Sequence, residues 1–213
     1  MPNLGFVPSI RYRNDLLLPL QMYPPIRVPA GVSVRAPFFI SAMEMQRLAP
    51  AQTIKVIAGL TTADFSLCFA NPSLQWRQVR SGGALTRWQF QGGKVSLNVL
   101  ISVYVAEGFQ SFNQALALIL EHELLHVQDE IDIVSRFMPT AALRDQYVQR
   151  YLVEGREVDD PMYRRWFAGP GFQEWVHDSV WAPEHNKRGQ MRDSGAEWES
   201  FRKRIDEFQR TSH

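Results

Sequence analysis

The sequence predicts an α+β fold, with an N-terminal, mostly antiparallel sheet packed on one helix and a helical C-terminal half behind it. Three observations carry this. Val95, Leu97, Val99, Ile101, Val103 and Val105 alternate with Lys94, Ser96, Asn98, Leu100, Ser102 and Tyr104, the period of a half-buried strand. Residues 118–133 hold apolar side chains at helical spacing around the box His122-Glu123-Leu124-Leu125-His126. After Pro139 the apolar residues recur with helical period only. A chain of 213 residues with 45% hydrophobic content fits one domain, residues 1–213. Its parts are a Pro-rich segment at 1–40, the sheet and box helix at 53–138, and the helical part at 139–213.

In chain order, Pro24-Pro25, Pro29 and Pro37 break residues 1–40 into irregular chain with short β-like runs at 32–34 and 38–40. This segment is read as outer wrapping of the domain. Ser41-x-x-Glu44 is a capping box that opens a short helix ended by Pro50. Strands are expected at 53–60, 74–80 and 85–91, divided by Asn71-Pro72 and Ser81-Gly82-Gly83. Gly92-Gly93 reads as a hairpin turn into the strand 94–106. Ser111 and Gln114 form a capping box for the box helix, and Met138-Pro139 stops it.

Beyond that stop, Thr140 is expected to cap a helix carrying Leu143, Tyr147, Val148, Tyr151 and Leu152. Asp160-Pro161 reads as an N-cap with Pro at the first helical position, for a helix closed by Gly169-Pro170-Gly171. Phe172, Trp175, Val176 and Val180 mark another helix. Ser194 and Glu197 open the last one, with Trp198, Phe201, Ile205 and Phe208 as its stripe.

Composition removes several function classes. A net charge of +1 gives no electrostatic case for nucleic acid or an anionic membrane. No apolar run reaches membrane-span length. The start shows no basic region followed by an apolar core, so the expectation is a cytoplasmic protein or one exported by a signal-less route. The single cysteine, Cys68, excludes an intrachain disulfide and a cysteine-based metal cluster, and its apolar neighbours suggest a buried thiol.

The box carries the chemistry. Two His four apart on a helix lie on one face a turn from each other, within reach of one metal ion. Glu123 then sits beside the metal as a general base. Two His and a Glu on a half-buried helix are costly to bury without such a partner.

A sheet leading into an H-E-x-x-H helix, followed by further helices, resembles the zincin metallopeptidases. The stretch 94–138 carries that resemblance. The metzincin extension is absent, since His126 is followed by Val127-Gln128-Asp129-Glu130-Ile131-Asp132. A weaker resemblance is to predicted bacterial zinc-dependent proteases with a distal third His in an H-G-x-x-Q-like context, which is set here against His185-Asn186-Lys187-Arg188-Gly189-Gln190, with Asn186 where that context has Gly. The resemblance implies Zn²⁺ as cofactor, a peptide or protein substrate and zincin-like architecture.

A hydrolytic zinc usually has three protein ligands and a water. His185 is the expected third, because it lies in a loop-like Trp181-Ala182-Pro183-Glu184-His185 segment and imidazole suits zinc. His177, and the carboxylates Asp145 and Glu154 on the helix after the box, stay open as alternatives. Glu130 is about 12 Å along the axis from His122, too far for the same ion. Asp129 or Glu130 can instead hold a ligand in orientation. Glu197 is better explained by its cap, and His213 is terminal.

The expected activity is a zinc-dependent peptidase, with metal ligands His122, His126 and His185 and with Glu123 as base. His177, Tyr147, Tyr151 or an Arg are candidate donors to the oxyanion. The substrate is expected to add as a strand along a sheet edge, with 94–106 as the candidate edge. One alternative is an amidase or a peptidoglycan-directed effector using the same zinc chemistry. The other is a non-catalytic adaptor with a structural or vestigial box.

Overall fold

The structure, a computed structural model, describes residues 3–12, 38–49, 58–69, 74–80, 85–110 and 113–211. The expectations placed on Pro24, Pro25, Pro29, Val32 to Val34, Pro37, Pro50, Asn71, Pro72, Ser81 to Gly83, Ser111, His213 and most of 53–60 lie outside these residues, as does the Glu197 side chain.

The fold is mixed α and β. In chain order it has β1 (Leu4–Tyr12), β2 (Phe38–Ile40), α1 (Ala42–Leu48), β3 (Gly59–Phe69), β4 (Gln75–Arg80), β5 (Thr86–Ala106), α2 (Asn113–Asp132) and α3 (Met138–Ala142). Then come β6 (Val158–Asp159), α4 (Asp160–Met162), α5 (Gly171–Trp175), α6 (Ala182–Arg192) and α7 (Gly195–Thr211). Among the described residues, no helix is long and apolar enough to cross a membrane.

β5 is the hub, because each of the other five strands pairs with it. The sheet is mixed, with both parallel and antiparallel pairs. β2 runs parallel to β5, matching Phe38 to Tyr104 and Ile40 to Ala106. β4 and β6 run antiparallel to it, through Arg80–Thr86 and Trp88–Val158 among others. The expected apolar face of β5 is buried: Val95, Leu97, Val99, Ile101, Val103 and Val105 are all at most 3% exposed.

The hairpin expected at Gly92-Gly93 is absent, and β5 passes straight through it. The glycines serve a close approach instead. Both have positive φ, 146° and 150°, and the Gly93 N–H donates to the C=O of Asn3, just ahead of β1. β1 likewise corrects the irregular reading of residues 1–40, for it is a regular strand despite Pro8. Cys68 is exposed, not buried, because in β3 Leu67 points inward and its neighbours Ser66 and Cys68 point outward.

By internal contacts the chain divides into two compact units. The first takes in Met1–Ile10, Phe65–Val99 and Ile131–His185; the second takes in Arg11–Asp64, Leu100–Glu130 and Asn186–His213.

In the first unit, the helix after the box does not stop at Pro139. A wide π turn at Ile133–Phe137, with Met138 N–H donating to Ile133 C=O, gives the proline ring room and the helix resumes as α3. Thr140 donates back to Arg136 C=O rather than capping. The cap of the next helix is Asp145, whose Oδ1 accepts from the N–H groups of Tyr147 (2.8 Å) and Val148 (3.0 Å). Asp159, not Asp160, caps α4. Asp160 instead accepts from Trp88 Nε1 (2.7 Å) and pairs with Arg164 (2.6 Å). β6 is a strand in what reads as all-helical sequence. Trp181 to His185 is helix, not loop, since the π turn Val176–Trp181 runs directly into α6.

In the second unit, α2 buries Ala115, Leu116, Ile119, Leu120, Leu124 and Val127. The Ser41–Glu44 capping box opens α1 as expected, with both reciprocal bonds formed. α7 buries Ile205 of its expected stripe.

Candidate metal centre

The second unit holds the candidate site, and α2 supplies its base. His122 and His126 lie one turn apart, and their Nε2 atoms are 3.2 Å from each other. The third atom is a carboxylate oxygen from outside the expected ligand set. Asp193 Oδ1 lies 3.2 Å from His122 Nε2 and 3.2 Å from His126 Nε2. Among the described residues this trio is the one group of His, Cys, Asp and Glu that can hold a metal.

The three separations form an equilateral triangle, and its size is informative. A tetrahedral zinc bonded at about 2.0–2.1 Å to N and O has donor–donor edges of about 3.3 Å. Two imidazole nitrogens and one carboxylate oxygen also suit zinc chemically, and such a set leaves a fourth position for water or substrate.

The residues around the trio hold it in place. The His122 ring stacks on Phe201 at 4.8 Å and meets the tilted Trp198 ring at 4.9 Å, both from α7. α7 can turn back there because Gly195 takes φ +86°, a conformation that costs a glycine nothing. Asp193 sits in the short link between α6 and that glycine, and its N–H closes α6 on Gly189 C=O.

Glu123 is 3% exposed. Thr61 of β3 donates through Oγ1 to Glu123 Oε2 (2.7 Å), and Thr61 Oγ1 also lies 3.2 Å from the Glu123 backbone carbonyl oxygen. Burial pushes the Glu123 pKa above the usual carboxylate range; the His126 and His122 charges and the Thr61 bond oppose this without cancelling it. Asp193 goes the other way. Burial alone would raise it, but the bonds from His122 and His126 hold its carboxyl well below the usual range. For His126, burial disfavours the charged ring, and the Asp193 bond together with the charges of Glu123, Asp193 and Asp129 outweighs it and raises the pKa.

The structure therefore brings together His122, His126 and Glu123, joined by Asp193 rather than His185. His185 belongs to the first unit and to α6, where its ring stacks on Trp181 at 4.7 Å. Eight residues of sequence separate it from Asp193, so on α6 it lies about 12 Å of helix rise back from the link. The other candidates are engaged in the first unit. Asp145 caps a helix, Glu154 pairs with Arg156 (2.7 Å) and His177 Nδ1 lies 2.6 Å from Asp178 Oδ1. Tyr147 and Tyr151 stack on each other at 6.4 Å. The signal for Asp193 was an acid lodged between a helix end and a glycine, just ahead of the Trp198–Phe201 stripe. Searched against family models, curated proteins and solved structures, the chain matches none.

Proposed function

We propose that this protein is a zinc-dependent peptidase, with His122, His126 and Asp193 as metal ligands and Glu123 as general base. The observation that carries the reading is the equilateral His122–His126–Asp193 triangle, sized for a tetrahedral ion, beside a buried and hydrogen-bonded glutamate. Zinc held by such a set supplies Lewis acidity toward a carbonyl oxygen and acidifies water.

The chain's own residues supply the rest. Glu123 accepts the proton of the attacking water and returns it to the leaving amine. Burial raises its pKa, the direction that favours holding the proton between the two halves of that exchange. Thr61 ties down one carboxylate oxygen and so fixes which way the other faces. Phe201 and Trp198 hold the His122 ring plane and keep water from its face.

The zincin-like part of the reading draws on β3. β5 is the centre of the sheet and not the free edge that strand addition requires. β3 begins beside Glu123 and, among the described residues, pairs with β5 alone. It is the strand we propose for docking an extended peptide.

The test compares wild type with Glu123→Gln for zinc content and for hydrolysis of casein, peptidoglycan and short peptides. One zinc per chain in both proteins, with hydrolysis lost by a factor of about 10²–10⁴ in the variant, is expected. Cleavage confined to peptidoglycan moves the reading to an amidase on the same centre. Full activity of the variant removes Glu123 as base. No zinc uptake by wild type leaves a non-catalytic protein with a structural box.

A further inference from the structure

The α2 face that carries the two histidines carries a third polar residue. Asp129 lies three residues beyond His126 and seven beyond His122, which places all three on one side of the helix. Both of its oxygens are gripped by Arg192. Nε reaches Oδ2 at 2.7 Å and Nη2 reaches Oδ1 at 3.0 Å. Arg188, one turn earlier on α6, brings Nη1 to 3.8 Å from the same Oδ1. The Asp129 side chain is 13% exposed, so this is no loose surface pair. A two-pronged guanidinium–carboxylate contact fixes orientation as well as distance, which a lysine cannot reproduce.

Arg192 is the last residue of α6, and Asp193 follows it directly. Past Asp193 the chain leaves through Gly195 at φ +86°. Asp193 thus has no regular element continuing through it. Its place is set by its own N–H bond back to Gly189 C=O at the end of α6, by the side-chain grip just before it and by the glycine turn just after it.

We infer that Asp129 and Arg192 are the positioning pair for Asp193 as metal ligand. α2 then builds the whole centre: it gives two ligands directly and sets the third through a clamp on the neighbouring residue. The inference rests on the metal-centre part of the proposed function and is independent of which bond is cut.

The test measures zinc affinity of the full chain by competition with a chromogenic chelator. The proteins are wild type, Arg192→Lys, Asp129→Asn, Asp193→Ala and the Arg192→Lys/Asp193→Ala double variant. Each clamp variant is expected to weaken zinc by about 10–100-fold, the usual effect of removing the support of a ligand. In the Asp193→Ala background Arg192→Lys is expected to add nothing, because the ligand it positions is gone. An equal loss in both backgrounds overturns the inference, since that is how a merely structural role behaves. Wild-type affinity in both clamp variants overturns it as well. Should Arg192→Lys fold poorly, Asp129→Asn, alone and with Asp193→Ala, decides by the same comparison. A wild type that takes up no zinc overturns the metal centre itself, whereas zinc in wild type with unchanged variants overturns the clamp alone.

Discussion

Gly59 lies against Glu123 so closely that a methyl group added to the glycine would fall 2.5 Å from Glu123 Oε1 and 2.9 Å from its Cγ. The same methyl would meet Ile119 Cγ2 at 2.6 Å. The first residue of β3 therefore has to be bare for the glutamate to occupy its place, and the limitation is space, not backbone conformation.

Gly59→Ala is accordingly expected to displace Glu123 while sparing the ligand trio. Zinc content should stay at the wild-type level and hydrolysis should fall by at least tenfold. Overpacking of this kind typically costs about 1–3 kcal/mol, readable as a lower urea midpoint. Unchanged activity and midpoint would mean that Glu123 has room the geometry does not provide.

Asp145 and Asp193 should separate cleanly on substitution. Asp145→Ala removes two bonds to helix N–H groups and is expected to cost about 1 kcal/mol of stability, with zinc retained. Asp193→Ala is expected to lose tight zinc binding. Elemental analysis after gel filtration, run beside thermal unfolding, reads both effects. Loss of zinc from the Asp145 variant would return the third ligand to the helix that follows the box.

The acid side of the stability profile is expected to show Asp160. Its pKa is held below the ordinary carboxylate value by the bonds from Arg164 and Trp88. A depressed folded-state pKa means stabilisation that is present above the unfolded value, about 3.9, and lost as pH falls through the folded value. Asp160→Asn should lower the urea midpoint at pH 6, and the gap to wild type should close below about pH 4. A gap that persists at low pH would assign the effect to packing against Trp88 instead of to charge.

How far the sequence reveals this protein depends on how local each feature is. The His122–Glu123–His126 arrangement and the Ser41–Glu44 cap follow from helical spacing alone, and the β5 face follows from alternation. Asp193 is different. It comes to the box through the Arg192–Asp129 grip across 63 residues of sequence, and no periodicity encodes that. Asp145 has the composition of a ligand and the job of a cap, a distinction visible only in where its oxygens find N–H groups. Gly92-Gly93 misleads because adjacent glycines serve a turn and a close backbone approach equally well. The loop expected around Pro183 fails because π turns leave space for a proline ring inside a continuous helix.

The dependence of five strands on β5 has a consequence for how the chain folds. Phe38 waits for Tyr104, and Trp88 waits for Val158. These pairings close long loops before they bring any contact energy, so folding should be slow for a chain of this size. During synthesis β5 is finished well before Val158 exists. Its run from Val95 to Ala106 is strongly β-forming and, after Lys94, carries no charge. Until its partners arrive it is open to pairing with another copy, and a chaperone that shields extended apolar segments would find a target there.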